Sequence, residues 1–222
     1  LALPGRFTLG RANDINNFNV AVGSVGGGSQ EVGVMYASGG ATVIDQTTSG
    51  GAFLRSAFAI NDAGLVVGFG IDPNNAARNV GFVYDSNTNT AFEVGALDGA
   101  NGAIAFNISN AGHIVGGSMM NQGSARPFIW TEDGGMMEIG LPVGTTSGSA
   151  RGVNASGWAV GTAGGQFAVP FLFDGTDTFR LQDLIDPNSG WDLSMNTSSS
   201  AMGISDDGII IGTGLLNGQI RA

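Results

Sequence analysis

Few side chains in this sequence stand at spacings that could support chemistry. His113 is the single histidine, and there is no cysteine. No partner for His113 stands at metal-ligand spacing, no catalytic triad can be assembled, and no Gly-x-Ser-x-Gly motif occurs. The segment GSVGGGSQ (residues 23–30) lacks the Lys-Ser/Thr ending of a phosphate loop. These observations predict no catalytic, cofactor-binding or metal-binding residues, and they make His113 an ordinary strand residue.

The segment DSNTNT (residues 85–90) places oxygen-bearing side chains at Asp85, Asn87 and Asn89. This alternate spacing is typical of the start of a calcium-binding loop. The glycine and glutamate that would complete such a loop do not follow. We therefore predict a polar turn here, with loose calcium binding on the outside of the protein as the alternative.

Composition narrows the range of partners. The 222 residues carry a net charge of −10, and all eight basic residues are arginine. Because an acidic surface repels phosphate groups, nucleic acid and anionic membrane surfaces are not expected partners. No apolar run is long enough to span a bilayer. The chain starts with LALPG, which predicts a mature exported protein whose signal peptide has been removed, although an artificial boundary would look the same.

An internal repeat dominates the sequence. The phrase Ala-x-x-(Ile/Val)-(Asn/Ser)-x-x-Gly-x-x-x-Gly starts at Ala12, Ala57, Ala105, Ala150 and Ala201. In the first copy Asn19 replaces the first glycine, and Asn tolerates the left-handed backbone conformation better than other non-glycine residues. The copies start 45 to 51 residues apart, which is the period of a propeller blade or a similar array.

Each copy of the repeat predicts four strands. Residues 57–60 alternate small and large side chains, Asn61 and Gly64 fit a tight turn, and residues 65–67 read as the return strand, which Gly68 allows to bend at its end. A third strand carries an aromatic or large apolar pair that we expect to pack between blades, in VGVMY, VGFVY, RPFIW and VPFLF. A fourth strand follows in ATVID, AFEVGAL, MMEIGLP and FRLQDLI. Helical periodicity is nearly absent.

Five units of four strands predict an all-β fold, a five-bladed β-propeller that forms one domain over residues 1–222. The fifth unit lacks its fourth strand and stops within the third. Residues 6–10 (RFTLG) resemble a fourth strand, so we predict that this N-terminal strand, through Phe7 and Leu9, completes the last blade. Either the natural chain continues beyond Ala222, or a neighbouring subunit supplies the missing strand by strand exchange. Donation from subunit to subunit would be head-to-tail and could build a filament or tube.

The repeat resembles the HAF-repeat family of bacterial extracellular proteins. AINDAGLVVG (residues 59–68) matches the Ile-Asn-Asp-x-Gly turn of that family. The His-Ala-Phe tripeptide that starts the next strand in the family is VGF at residues 80–82, RPF at 126–128 and VPF at 169–171, without its histidine. The resemblance covers essentially the whole chain. It implies export and often a C-terminal sorting segment with Pro-Glu-Pro, and it carries over no enzymatic activity.

Enzymatic propellers place paired carboxylates on the innermost strands, because glycoside hydrolysis needs two of them. If the Ala-x-x-Ile strand is innermost, its third column holds Asp14, Ala59, Asn107, Gly152 and Gly203. Asp14 alone is acidic, which argues against an enzyme. The small residues in this column would let the strands approach one another near a narrow axis.

Trp191 follows no column of the repeat. It lies in DPNSGWDLSMNTSSS, the longest insertion between units, where it could be a glycan platform or a subunit contact, or could cover the rim of the core. The sequence as a whole predicts a non-enzymatic extracellular structural protein, without a cofactor, that self-assembles into a surface filament, tube or layer. A lectin-like propeller that binds glycans is the alternative.

Overall fold

Five antiparallel sheets follow one another along the chain. The computed structural model describes residues 3–5, 7–120, 123–164, 166–194 and 197–222. The sheets are called blades one to five. Blade one contains β1 (Gly10–Ile15), β2 (Ala21–Val25), β3 (Val32–Ala37) and β4 (Gly40–Val43), and blade two contains β5 (Phe53–Ile60), β6 (Leu65–Asp72), β7 (Asn75–Asp85) and β8 (Thr90–Glu93). Blade three contains β9 (Ala100–Ile108), β10 (Ile114–Met120), β11 (Ala125–Thr131) and β12 (Gly135–Glu138), blade four contains β13 (Ser147–Val153), β14 (Ala159–Gly164), β15 (Ala168–Phe173) and β16 (Thr178–Arg180), and blade five contains β17 (Trp191–Asp192), β18 (Ser200–Ile204), β19 (Ile210–Leu216) and β20 (Gln219–Arg221). Short 3-10 helices cover Gly28–Gln30 and Leu181–Asp183. The fold is an all-β propeller with four complete blades and a partial fifth, which confirms the predicted fold class.

In blades one to four the strands pair in chain order. The first strands of successive blades contact one another, β1 with β5, β5 with β9, β9 with β13 and β13 with β18. These strands are therefore innermost, which is the condition under which their third column was interpreted. In blade five, β19 lies between β18 on one side and β20 on the other, and β17 pairs with the far end of β19.

The turn of each repeat is built as its residue types predicted. In blade two the Gly64 N–H donates to the Asn61 carbonyl (3.1 Å), and the Asn61 side-chain oxygen accepts the Leu65 N–H (2.9 Å). Gly64 has a φ of +80°, and Asn19, its equivalent in blade one, has a φ of +60°. The positive φ explains why glycine or asparagine occupies this position.

The second glycine of the repeat has a different role from the predicted one. Gly68 lies within β6 rather than at its end. Every innermost strand contains a β-bulge directly after the repeat alanine, and a Cβ added to the glycine opposite would lie 1.9 to 2.1 Å from a carbonyl oxygen of that strand, at Gly23, Gly68, Gly116, Gly161 and Gly212. The bulge brings the two backbones too close for any side chain.

The predicted closure of the ring by the N-terminal strand is wrong. Residues 7–9 lie outside any strand, Phe7 packs on the Val25, Val34 and Tyr36 cluster of blade one, and the Leu9 carbonyl accepts the Gly26 N–H (2.9 Å) of the same blade. Arg6 lies outside the described residues. The pairings of β17 to β20 include no residue before position 191.

The local sequence gives the physical reason for this placement. Leu3 and Pro4 repeat Leu141 and Pro142, which lie in the connector between blades three and four. The Leu3 side chain lies 2.5 Å from where a Cβ of Gly10 would be, and Leu141 stands in the same relation to Gly148, at 2.8 Å. Residues 3–5 and 7–9 are therefore not a fourth strand, and Leu3 takes the position that Leu141 has in the connector between blades three and four.

Candidate interaction site

Each blade has two faces that differ in residue type. The trailing face looks toward the following blade, and the leading face looks toward the preceding one. One position of the trailing face lies three residues after the turn glycine, which is Gly64 in blade two. Its side chain is fully buried in blades one to four, as Val22, Val67, Val115 and Val160. In blade five the equivalent residue is Ile211, which is 65% exposed, and Ile209 beside it is 63% exposed. The trailing face of blade five is therefore uncovered.

The leading face shows the same pattern at the other end of the array. The leading-face position directly before the turn asparagine or serine is buried in blades two, three and four, where Ile60, Ile108 and Val153 are at most 6% exposed. Its equivalent in blade one, Ile15, is 60% exposed. Phe18 is 69% exposed, and a groove of about 690 Å³ runs beside Ile15, Phe18 and Tyr36. Leu3 and Phe7 cover only part of this face.

Every internal gap places one trailing and one leading residue in the same hydrophobic cluster, and all of them are buried except Ile204, which is partly buried. The pairs are Val22 with Ile60, Val67 with Ile108, Val115 with Val153, and Val160 with Ile204. Ile211 and Ile15 are the two halves of a fifth pair of the same kind, and each is left without its counterpart. The fold thus exposes two complementary apolar faces, at blade five and at blade one.

Polar contacts between the turns reinforce each gap. The side-chain amide of Asn16 donates to the Asn61 carbonyl, that of Asn61 to the Ser109 carbonyl, and that of Asn154 to the Ser205 carbonyl, each at 3.2 Å. Ser109 has no amide to continue this series. At that gap the Nδ1 atom of His113 lies 3.4 Å from the Asn154 carbonyl oxygen. The single histidine thus occupies the place of the missing asparagine amide.

A second series of hydrogen bonds runs through the next residue of the turn. The backbone N–H groups of Asn17, Asp62 and Ala155 donate to side-chain oxygens one blade further on, at Asp62 (2.9 Å), Asn110 (2.9 Å) and Asp206 (2.8 Å) respectively. The hydrogen bonds from the backbone and then the side chain of Asn17 hold the pKa of Asp62 below its usual value of 3.8. In this series the backbone N–H donates toward the blade that follows, whereas the side-chain amide of Asn110 donates back to the Asp62 carboxylate (2.9 Å).

The other side chains singled out in the sequence have structural contacts. The Asp14 carboxylate accepts the Ile60 N–H of the next blade (2.9 Å), and Gly152 and Gly203 lie so close that a Cβ on Gly152 would be 2.7 Å from the Gly203 Cα. The Asp85 carboxylate accepts hydrogen bonds from Asn87 and Thr88 of its own turn. Burial raises the pKa of Asp85, but these hydrogen bonds outweigh it and leave that pKa below its usual value.

Trp191 lies in blade five and is half-buried. It pairs with Leu216 through β17, and its ring lies against Gly214. It also lines a cavity of about 570 Å³ together with Leu184 and Ile210. This cavity is flanked by blades four and five, and the exposed Ile211 is among the residues that line it.

A further groove lies between blades two and three, and sequence reasoning did not single it out. It has a volume of about 920 Å³ and is lined by Phe92, Trp130, Glu132 and Asp133 among others. The Phe92 and Trp130 rings have centroids 5.7 Å apart. Trp130 is half-buried, whereas its equivalents are at most 7% exposed, at Tyr36, Tyr84 and Phe173. The sequence signal for this groove is Trp130, the one tryptophan at this aromatic position of the third strands.

Comparison with solved structures supports the fold. The chain is similar to TolB from Acinetobacter baumannii, with a TM-score of 0.55 and 14% identity over 92% of this chain and 51% of TolB. It also resembles the β-propeller domain of the trilobed protease from Pyrococcus furiosus, with a TM-score of 0.45 and 12% identity over 98% of this chain and 81% of that domain. The chain thus spans about half the length of TolB. No protein-family model matches the chain, and no curated protein matches it. Among the described residues, no helix is long and apolar enough to cross a membrane.

Proposed function

We propose that this chain is an extracellular structural β-propeller that works by associating with copies of itself rather than by catalysis. The observation that carries the proposal is the pair of uncovered faces, with Ile211 65% exposed on one and Ile15 60% exposed on the other. A face of this kind is buried at every internal gap, so its exposure leaves apolar area for a partner to cover.

The residues that could have served catalysis support the same proposal, because they are engaged in holding blades together. The Asp14 carboxylate is bound to the Ile60 N–H, and His113 contacts the Asn154 carbonyl. Export remains part of the proposal through the resemblance to the HAF-repeat family.

Sedimentation velocity over a wide range of protein concentration tests the proposal. We expect the weight-average sedimentation coefficient to rise with concentration, with filaments, tubes or layers visible by electron microscopy at the upper end. The variant Met137→Arg is a control for added charge, because Met137 is 49% exposed on β12 of blade three, away from blades one and five. A chain that stays monomeric at every concentration contradicts the proposal.

A lectin-like function is the second candidate, and the groove between blades two and three favours it. Exposed aromatic rings beside carboxylates suit a sugar, because the ring stacks on the sugar C–H face while the carboxylates accept hydrogen bonds from its hydroxyl groups. Phe92 and Trp130 supply the rings, and Glu132 and Asp133 supply the carboxylates. Trp191, the residue singled out in the sequence, lies in a different cavity.

Glycan-array binding separates this candidate from the structural one. If the groove binds glycans, Trp130→Ala and Phe92→Ala should abolish the signal. Phe179→Ala is the matched control, because Phe179 occupies the position of Phe92 in blade four and both are 38% exposed. Glycan binding that survives Trp130→Ala but is lost in Trp191→Ala would move the site to blade five. No binding to any glycan would remove the candidate.

A further inference from the structure

We propose that the trailing face of blade five docks on the leading face of blade one in a second copy of the chain, in the geometry of an internal blade gap. This inference rests on the proposed function and specifies its interface. Such a contact is heterologous, because the two copies use different surfaces, and it leaves one free face at each end of every assembly.

The apolar part of the joint follows from the internal gaps. Val160 and Ile204 pack together between blades four and five, as three equivalent pairs do elsewhere. Ile211 would take the place of Val160, and Ile15 of a second copy would take the place of Ile204. The groove of about 690 Å³ beside Ile15 and Phe18 is where the side chains of the arriving blade would insert. Both halves of the joint are large and apolar, so neither face is suited to water.

The polar part of the joint fixes its register. In three of the four internal gaps a backbone N–H of one turn donates to an Asx side-chain oxygen of the next turn. At the joint the donor would be the Asp206 N–H and the acceptor the side-chain oxygen of Asn17 in the second copy. Asn17 uses its backbone N–H and its amide nitrogen toward Asp62, and its side-chain oxygen takes no part in these two hydrogen bonds.

Two surface variants test the pairing. Ile211→Arg blocks the trailing face and leaves the leading face intact, and Ile15→Arg does the reverse. Because both residues are exposed, neither change should affect folding, which circular dichroism would verify. Each variant alone is expected to assemble only at concentrations about a hundredfold higher than the wild type, since each replaces a central contact of the joint with a charge. Mixed in equal amounts, they should form a 1:1 heterodimer through the one pair of intact faces, and growth should stop there.

Cysteine pairing tests the register. The chain contains no cysteine, so Ile211→Arg with Asn17→Cys and Ile15→Arg with Asp206→Cys form a clean pair of proteins for oxidation. A disulfide between the two confirms that the turns meet as they do inside the molecule. No disulfide in a mixture that still forms the heterodimer overturns the proposed register.

The outcomes separate the interface from the proposed function. A wild-type chain that never associates removes both. A wild type that associates while one variant alone still forms a dimer with itself shows an isologous contact through the intact face of that variant, which overturns the blade-to-blade joint and leaves self-assembly standing. Association that is lost in Ile220→Arg and retained in Ile211→Arg would assign the contact to strand addition at the edge of β20, and would also overturn the joint.

Discussion

Gly161 gives the sharpest test of how the blades are built. It lies in β14 opposite the bulge of β13, and a Cβ added there would be 2.1 Å from the Ser149 carbonyl oxygen and 2.7 Å from the Phe171 Cζ. Ordinary contact begins at 3.4 Å, so Gly161→Ala would have to push the two strands apart by about 1 Å. The oxygen belongs to the backbone, so the strain cannot be relieved by rotating a side chain.

The cost of Gly161→Ala can be estimated from this displacement. Overpacking of this kind costs about 1–3 kcal/mol, and each weakened ladder hydrogen bond between β13 and β14 adds about 1 kcal/mol. We expect a loss of about 3–5 kcal/mol in the free energy of unfolding. For a chain of this length that corresponds to a fall in Tm of roughly 6–20 °C.

Gly164→Ala is the matched control, because Gly164 lies in the same strand and the nearest atom to an added Cβ is 3.8 Å away. That change should be neutral or stabilise by up to about 1 kcal/mol, through the smaller conformational freedom of the unfolded chain. Thermal unfolding followed by circular dichroism compares the two variants directly. If the Gly161→Ala and Gly164→Ala variants have the same Tm, the close approach of β13 and β14 does not explain why glycine occupies the second glycine position of the repeat.

Three further predictions concern the gaps and the faces. Asn61→Ala removes a side chain that is 3% exposed, donates to the Ser109 carbonyl and accepts the Leu65 N–H. The free energy of unfolding, measured by urea titration, should fall by about 2–3 kcal/mol. An unchanged urea midpoint would show that these turn hydrogen bonds do not stabilise the fold. The pKa of Asp62 is lowered in the fold, so its contribution to stability is fully present above pH 3.8 and is lost as the pH falls through the lower folded-state pKa. In a plot of Tm against pH, Asp62→Asn should therefore reduce the fall of Tm on the acid side. A plot identical to that of the wild type would refute this. Assembly should strengthen from low to physiological ionic strength, because salt screens the repulsion between copies of charge −10; sedimentation would show the reverse if ion pairs dominated the contact.

The sequence predicted the parts of the fold that depend on local backbone conformation. The turn at Asn61 and Gly64 could be recognised because a positive φ restricts the residue type, and the repeat made this signal visible five times. Alternation of residues located the strands, and the aromatic pairs located the packing between blades. Phe82, Phe128 and Phe171 are indeed fully buried.

Features that depend on the neighbouring strand or blade could not be predicted in this way. Gly68 was interpreted as a bend because the bulge opposite it becomes apparent only from cross-strand distances. The role of His113 depends on Ser109 lacking an amide and on the position of a carbonyl in the next blade. The predicted closure strand is wrong because Phe7 and Leu9 share the apolar alternation of a fourth strand, whereas Leu3 and Pro4 before them match the connector residues Leu141 and Pro142.

The direction of the hydrogen bonds between turns explains why an array of such blades leaves unlike ends. Side-chain amides donate forward in three of the four gaps, as Asn16 does to Asn61 and Asn154 does to Ser205, and the backbone N–H groups of the turns do the same in three. The amide of Asn110 donates back to Asp62, so the forward direction predominates. Each gap also joins a trailing valine to a leading isoleucine or valine, so the two faces of a blade fit each other. Any row of these blades therefore presents one leading and one trailing face at its ends, whatever its number of blades. Because two identical faces would meet without a donor and acceptor in register, a symmetric dimer would lose the turn contacts that every internal gap contains. Addition in one direction keeps them, and that difference favours growth from head to tail.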